Sequence, residues 1–205
     1  MTYILRLDTS PRNTDSLSRN LADEIEQHLL GLNKNLFVKT HDLAKAGLPH
    51  ISNDTIAGFY TAPKEMTSRL KEATALSDKL IHDLKAADTL LISSPMYNFG
   101  VPSSLKAWID QIVRINKTFS FDGESFEGLV PVKRAVLSLA YGATGYAPNS
   151  NFAHMNFLEP YLISLMGFLG IEDTQVIRVQ GTTGRPEELI VAQQKASDEV
   201  SKLFV

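Results

Sequence analysis

Two short segments carry residue types suited to holding a ligand. The first is Thr9-Ser10-Pro11-Arg12-Asn13-Thr14-Asp15-Ser16-Leu17-Ser18, which is rich in hydroxyls and runs into a helical pattern. At a helix N-terminus the first N–H groups are unpaired and the dipole favours an anion. Ser10, Ser16 and Ser18 there could hold a phosphate monoester without glycines or a lysine. Ser16 as a plain helix cap, with Ser18 in the first turn, accounts for the same residues and is the commoner use. The second segment is Pro95-Met96-Tyr97-Asn98-Phe99-Gly100-Val101-Pro102, which follows the most apolar strand pattern and stops at a helix start. A flat heteroaromatic ring could lie against Met96, Tyr97 and Phe99, with Asn98 and nearby N–H groups on its polar edge. Tyr97 and Phe99 as core plugs is the alternative; the position favours the ligand. A third segment, Ala140-Tyr141-Gly142-Ala143-Thr144-Gly145, has glycines that permit close backbone approach, a weak signal on its own.

Other chemistries find little support. The five histidines, His28, His41, His50, His82 and His154, show no ligand spacing, so no metal is expected. The chain has no cysteine, which excludes disulfides, thiol redox catalysis and iron–sulfur clusters. It has neither a P-loop nor a Gly-x-Ser-x-Gly elbow. Trp108 sits at helical spacing and reads as core. Phe119 and Phe121 could overhang a pocket, although hairpins use such pairs routinely.

The composition is that of a soluble globular protein. Of 205 residues, 43% are hydrophobic and 21% charged, which excludes wholesale disorder. At ~150 residues per domain, one domain spanning residues 1–205 is expected. A net charge of -3 argues against nucleic-acid coating. The longest nearly apolar stretch, Tyr161 to Ile171, falls short of the ~20 residues of a membrane helix, so no membrane partner is expected. Met1 to Asp8 lacks the basic and apolar regions of a signal peptide, which points to the cytoplasm.

Elements that must position these residues alternate between short apolar runs and helical patterns. Tyr3–Leu7 reads as a first strand. Leu17, Leu21, Ile25 and Leu29 then share a helical face, with Gly31 as a stop. Leu36–Leu43 is a second strand with Phe37 and Val38 as its core, and residues 44 to 64 read as an irregular excursion. A long helix carries Met66, Leu70, Ala73, Leu76, Leu80 and Leu84. Asp88–Ser94 is a strand apolar on both faces, as a central parallel strand would be. Pro102 opens a helix that buries Leu105, Trp108, Ile109 and Ile112. Phe119 and Phe121 flank a hairpin at Asp122-Gly123. Arg134–Ala140 is a fourth main strand. Asn151–Gly170 reads as helical with a break or kink at Pro160. Thr174–Val179 is a fifth main strand, and Pro186-Glu187-Glu188 starts a last helix.

Five strands separated by helices imply a doubly wound parallel sheet with helices on both faces. The dinucleotide-binding version needs six strands and a Gly-x-Gly-x-x-Gly turn after the first, and no glycine stands there. The five-stranded flavodoxin-like order, 2-1-3-4-5, fits better. In it ligands bind at the carboxyl ends of strands one and three.

Pro95 to Asp110, Pro-Met-Tyr-Asn-Phe-Gly-Val-Pro-Ser-Ser-Leu-Lys-Ala-Trp-Ile-Asp, resembles the signature of FMN-dependent NADH azoreductases, also described as NADH:quinone oxidoreductases. The similarity spans nearly the whole chain. It includes Thr9-Ser10, Ser16-Leu17-Ser18, Phe126-Glu127-Gly128-Leu129 and Pro160-Tyr161-Leu162 through Ile171. The resemblance implies a flavodoxin-like homodimer with FMN at the subunit interface. Ser10, Ser16, Leu17 and Ser18 would bind the FMN phosphate. Pro95, Met96, Tyr97, Asn98 and Phe99 would line the ring and ribityl chain, and Ala140, Tyr141, Gly142 and Ala143 the other side of the ring. Phe119, Phe121 and Phe168 would wall the substrate pocket. NADH would deliver two electrons through FMN to quinones or azo compounds in a ping-pong cycle, with no acid or base side chain required. Relatives typically carry Ser-x-Gly-Gly where this chain has Ala140-Tyr141-Gly142-Ala143. One hydroxyl contact is thereby lost, and Tyr141 and Ala143 are expected to add bulk at the pocket mouth. An NAD(P)H:FMN reductase, a flavodoxin-like electron carrier and a flavin-free binding module are the alternatives. A carrier should be strongly acidic, and -3 is mild.

Overall fold

The computed structural model describes residues 2–203; Met1, with which the N-terminal segment above begins, and Phe204 and Val205 lie outside them. The chain runs β1 (Thr2–Asp8), α1 (Leu17–Leu32), β2 (Leu36–Asp42), α2 (Leu43–Ala46), α3 (Asn53–Tyr60) and α4 (Ser68–Lys85). It continues with β3 (Thr89–Pro95), α5 (Ser103–Ile112), the hairpin β4 (Phe119–Phe121) and β5 (Phe126–Gly128), and β6 (Arg134–Ala140). It closes with α6 (Glu159–Leu169), β7 (Asp173–Val179) and α7 (Pro186–Val200). Single 3-10 turns occupy Pro63–Glu65 and Ala153–Met155.

The five long strands form one parallel sheet in the order β2-β1-β3-β6-β7, which is the expected 2-1-3-4-5 pattern. Alternate side chains feed two cores. Leu5, Leu7, Leu90, Ile92, Leu137 and Leu139 face one side, under Leu80, Leu84, Trp108, Ile112, Leu162 and Met166. Ile4, Leu91 and Val136 face the other, under Leu21, Ile25, Leu29, Ala196 and Val200. The sheet therefore buries both faces, and β3 is buried from Thr89 to Ser94. All five carboxyl ends lie on one edge, where Asp8 is in register with Ser93 and Pro95 with Ala140.

Several local expectations are corrected. The excursion at residues 44 to 64 contains α2 and α3. Gly58, inside α3, obscured that helix. A Cβ there would come within 2.5 Å of Thr74 Cγ2, so glycine is what lets α3 lie close on α4. Gly31 does not stop α1, which runs on to Leu32 and closes with the Asn33 N–H on the Leu29 carbonyl. Met66 precedes α4 and is not part of it. Phe37 is exposed, because β2 is an edge strand; its ring stacks on Tyr3 instead. Asn151–Gly170 is not one helix: residues 151–158 hold only the 3-10 turn, α6 starts at Glu159, and Pro160 marks that break without kinking α6, since its missing N–H falls in the first turn, where no partner exists.

Candidate functional site

The site grows out of the end of β1. Thr9 is pinned twice to the Ser93 carbonyl, by its N–H (3.1 Å) and its hydroxyl (2.9 Å). The Arg19 guanidinium, one turn into α1, donates to the Ser10 carbonyl from Nε (3.2 Å) and Nη2 (2.6 Å). It also pairs with Asp42 (2.8 Å) and Asp8 (3.3 Å), so the loop is tied to β1, β2 and α1 at once. Burial opposes the charge on Asp42, but donors from Arg19 and Lys45 outweigh it and hold the carboxyl below the usual range. Ser16 caps α1 by accepting from the Arg19 N–H (3.4 Å), and its hydroxyl lies 3.3 Å from that of Ser18. Ser138 on β6 donates to the Ser18 carbonyl (2.8 Å). The result is a fixed row of hydroxyls at the positive end of a sixteen-residue helix.

The opposite wall follows β3. The Met96 N–H donates to the Ala140 carbonyl (2.9 Å), and Tyr97 and Gly100 exchange two backbone bonds across a tight turn. Within that turn Asn98 and Phe99 take left-handed φ values of 47° and 70°. Asparagine tolerates this; phenylalanine is strained. A bond from the Phe157 N–H to the Phe99 carbonyl (2.8 Å) holds the turn. Strain kept in place by its surroundings is characteristic of ligand clamps.

Between the two walls lies a cleft of about 260 Å³. It is lined by Ser10, Ser16, Leu17, Ser18, Pro95, Met96, Tyr97, Ala140 and Gly142, joined by Arg12, Asp15, Thr182 and Thr183. Arg12 and Asp15 form an ion pair on the exposed rim. Beyond Tyr97 a wider hollow of about 640 Å³ includes His50, Asn98, Val101 and Lys106. Hydroxyls, helix N–H groups and one arginine make a donor set that fits a phosphate monoester, and the Pro95–Tyr97 wall fits a flat ring.

A family model described as flavodoxin-like fold matches residues 2–203. A relative named FMN-dependent NADH:quinone oxidoreductase, from Xanthobacter autotrophicus, is 46% identical over 176 residues, 86% of this chain and 85% of its own length. Another of the same name, from Beijerinckia indica, is 40% identical over 206 residues and the full length of both chains. The chain belongs to the FMN-dependent NADH:quinone oxidoreductase family. Among solved structures, an azoreductase from Bacillus anthracis superposes with a TM-score of 0.87 at 26% identity, over 99% of this chain and 100% of its own.

Not every residue expected to serve a site in this oxidoreductase family lines the cleft. Asn98 lies in the adjoining hollow, Phe99 is partly exposed on the strained turn, and Ala143 is exposed beyond the cleft. The Tyr141 ring does not crowd the mouth. It is 0% exposed and turned into the fold, where its hydroxyl donates to Glu159 Oε2 (3.1 Å) and accepts from Asn156 Nδ2 (3.3 Å). Burial, then the Glu159 charge, push this phenol well above its ordinary range, so it stays protonated. Phe119, Phe121 and Phe168 do not line the cleft either. They join Phe126 in an aromatic cluster, with ring centroids of Phe119 and Phe168 4.9 Å apart and of Phe121 and Phe126 4.6 Å apart. The hairpin is held there because Gly128 packs directly on the backbone at Gly170.

Arg12, Asp15, Thr182 and Thr183 were missed. The threonines follow the carboxyl end of β7, so the strand-end rule that found the other loops could have found them. Among the described residues no group of three or more His, Asp or Glu could hold a metal, and no helix is long and apolar enough to cross a membrane.

Proposed function

We propose that this chain is an FMN-dependent NADH:quinone oxidoreductase that also reduces azo compounds, working as a cytoplasmic homodimer. The observation that carries the reading is a single cleft with a hydroxyl-lined helix N-terminus at one end and a flat apolar wall at the other. The names of the relatives supply the cofactor, the donor and the acceptor class.

In this reading Ser10, Ser16, Ser18 and the first N–H groups of α1, beside Leu17, bind the FMN phosphate, and Arg12 adds a cation at the same end. Pro95, Met96 and Tyr97, with the turn residues Asn98 and Phe99, orient the ring. Gly142 and the backbone of Ala140 and Tyr141, continuing to Ala143, bound its far side. When bound, FMN supplies the two-electron hydride chemistry that lets NADH and the acceptor react in turn. The chain has to provide placement and charge compensation. The positive end of α5, which starts at Ser103 just past the strained turn, favours negative charge beside that turn. No side chain in the cleft is required to move a proton. Phe119, Phe121 and Phe168 serve the acceptor only where a second copy brings them to a cleft.

Exposed Phe121 and Phe126, whose rings stack at 4.6 Å, support the homodimer, since an exposed aromatic patch on a monomer is uncommon. The test is an anaerobic titration of FMN-loaded protein with NADH, followed by a quinone. Direct bleaching of the flavin, then full recovery with quinone, is expected. FMN-loaded protein that NADH cannot bleach would remove the enzyme reading.

A further inference from the structure

Two segments beside the cleft, the Tyr97–Gly100 turn and the Ala140–Gly142 stretch, are separate in sequence, and one buried polar cluster includes Tyr141 of the second and lies next to Phe157, which holds the first. Glu159, the first residue of α6, is only 2% exposed. Its carboxylate accepts from Arg178 on β7, through Nε (2.7 Å) and Nη2. The same carboxylate accepts from the Tyr141 hydroxyl. Asn156 donates to that hydroxyl and to the Tyr146 carbonyl (3.0 Å), and its Oδ1 accepts from the N–H groups of Leu158 and Glu159 (3.2 Å each). The next residue, Phe157, holds the strained turn through the Phe99 carbonyl. Tyr141 in turn follows Ala140 of the cleft directly, and its backbone is bonded to Val179 and Thr182.

We propose that Tyr141, Asn156 and Glu159, anchored by Arg178, are positioning residues that fix the distance between the Tyr97–Gly100 turn and the Ala140–Gly142 wall, and so set the geometry in which the flavin ring is held. The inference rests on the FMN reading of the cleft and deepens it. None of the four side chains lines the cleft, so each acts through backbone it holds in place. A half-satisfied buried network is worse than an apolar one, so loss of one member is transmitted to the others. Removing the Tyr141 hydroxyl leaves the Asn156 amide one acceptor short and Glu159 one donor short, while the ring keeps its packing on Tyr146 (5.7 Å, 21°). The side-chain link between the Ala140 end and Phe157 is then lost, and the backbone pairing of Pro95 and Met96 with Ala140 is left to join the two sides.

The test compares wild type, Tyr141→Phe and Arg178→Lys, using FMN affinity by fluorescence quenching and the visible absorption and circular dichroism of the bound flavin. Arg178→Lys keeps the charge but cannot make the two-pronged contact, and it covers the case in which Tyr141→Phe fails to fold. The expected result is a roughly five- to tenfold rise in the FMN Kd and an altered flavin band in both variants. The KM for NADH should move more than kcat, and the far-ultraviolet spectrum of the apoprotein should stay unchanged. A merely structural role would lower thermal stability and leave the band of the remaining bound flavin as in wild type, and that outcome overturns the proposal. Wild-type affinity and an unchanged band in the folded variants overturn it equally. Failure of wild type itself to bind FMN is a different result, which removes the reading of the cleft and this inference with it.

Discussion

Ser16 has two duties that can be separated by experiment. It caps α1, and its hydroxyl stands in the row that faces the cleft. Ser16→Ala should cost about 1 kcal/mol of stability in urea titration, the usual worth of such a cap. It should also weaken FMN binding several-fold while leaving riboflavin, which has no phosphate, unaffected. Equal weakening of both flavins would mean that the serine acts only through the helix. Asp88 gives a pH-dependent case. The Tyr3 N–H, at 3.0 Å, does most to hold its carboxyl below the ordinary range, and Lys133 assists against a desolvation penalty. A depressed pKa in the fold means that the contribution is complete above the unfolded value and is lost as pH falls through the folded one. Urea midpoints measured from about pH 4 downward should therefore fall less steeply in Asp88→Asn than in wild type. At this scale the sequence was readable where chemistry and position agreed, as in the serine loop and at Met96. It misled at Tyr141. A residue just past a strand end has no periodic neighbour to tell which way its ring turns, and the partners Asn156, Glu159 and Arg178 are distant in the chain.

Elements were legible in proportion to their length. α1, α4 and the long strands announce themselves by repeated spacing, whereas α2 and α3 are too short and too interrupted to do so. The hairpin β4–β5 was visible through Asp122-Gly123, yet nothing local shows where it docks. Its seat is a backbone contact. A Cβ on Gly128 would stand 2.1 Å from the Gly170 nitrogen, and Gly170 itself has a φ of 92°. Gly128→Ala must therefore push the hairpin off the end of α6, at a cost of about 2 kcal/mol in the denaturant midpoint. Hydrogen exchange should rise at residues 119–128 first, because that segment loses its close backbone seat at Gly170 and the Phe119–Phe168 contact with it. Unchanged protection there would show that the hairpin is held by its aromatic rings alone.

For the whole molecule, the alternation of five strands with helices, together with the lack of a glycine turn after the first strand, was enough to obtain the strand order, because right-handed crossovers leave few ways to wind five strands. Assembly cannot be counted in the same way, since an apolar residue serves a core or an interface with equal ease. Light scattering at micromolar concentration is expected to give twice the chain mass of 22.7 kDa; a single chain mass would contradict the homodimer. The left-handed turn at Asn98 and Phe99 bears on this scale too. Each such residue costs of order 1–3 kcal/mol, against a net stability of only about 5–15 kcal/mol for a domain. Phe99 is partly exposed, so Phe99→Gly would give up little burial while relieving the worse of the two conformations. A library screened only for survival of heating should accumulate that change early and drift toward sturdy, poorly active proteins. Thermal hardening of this enzyme should start elsewhere and leave the turn untouched.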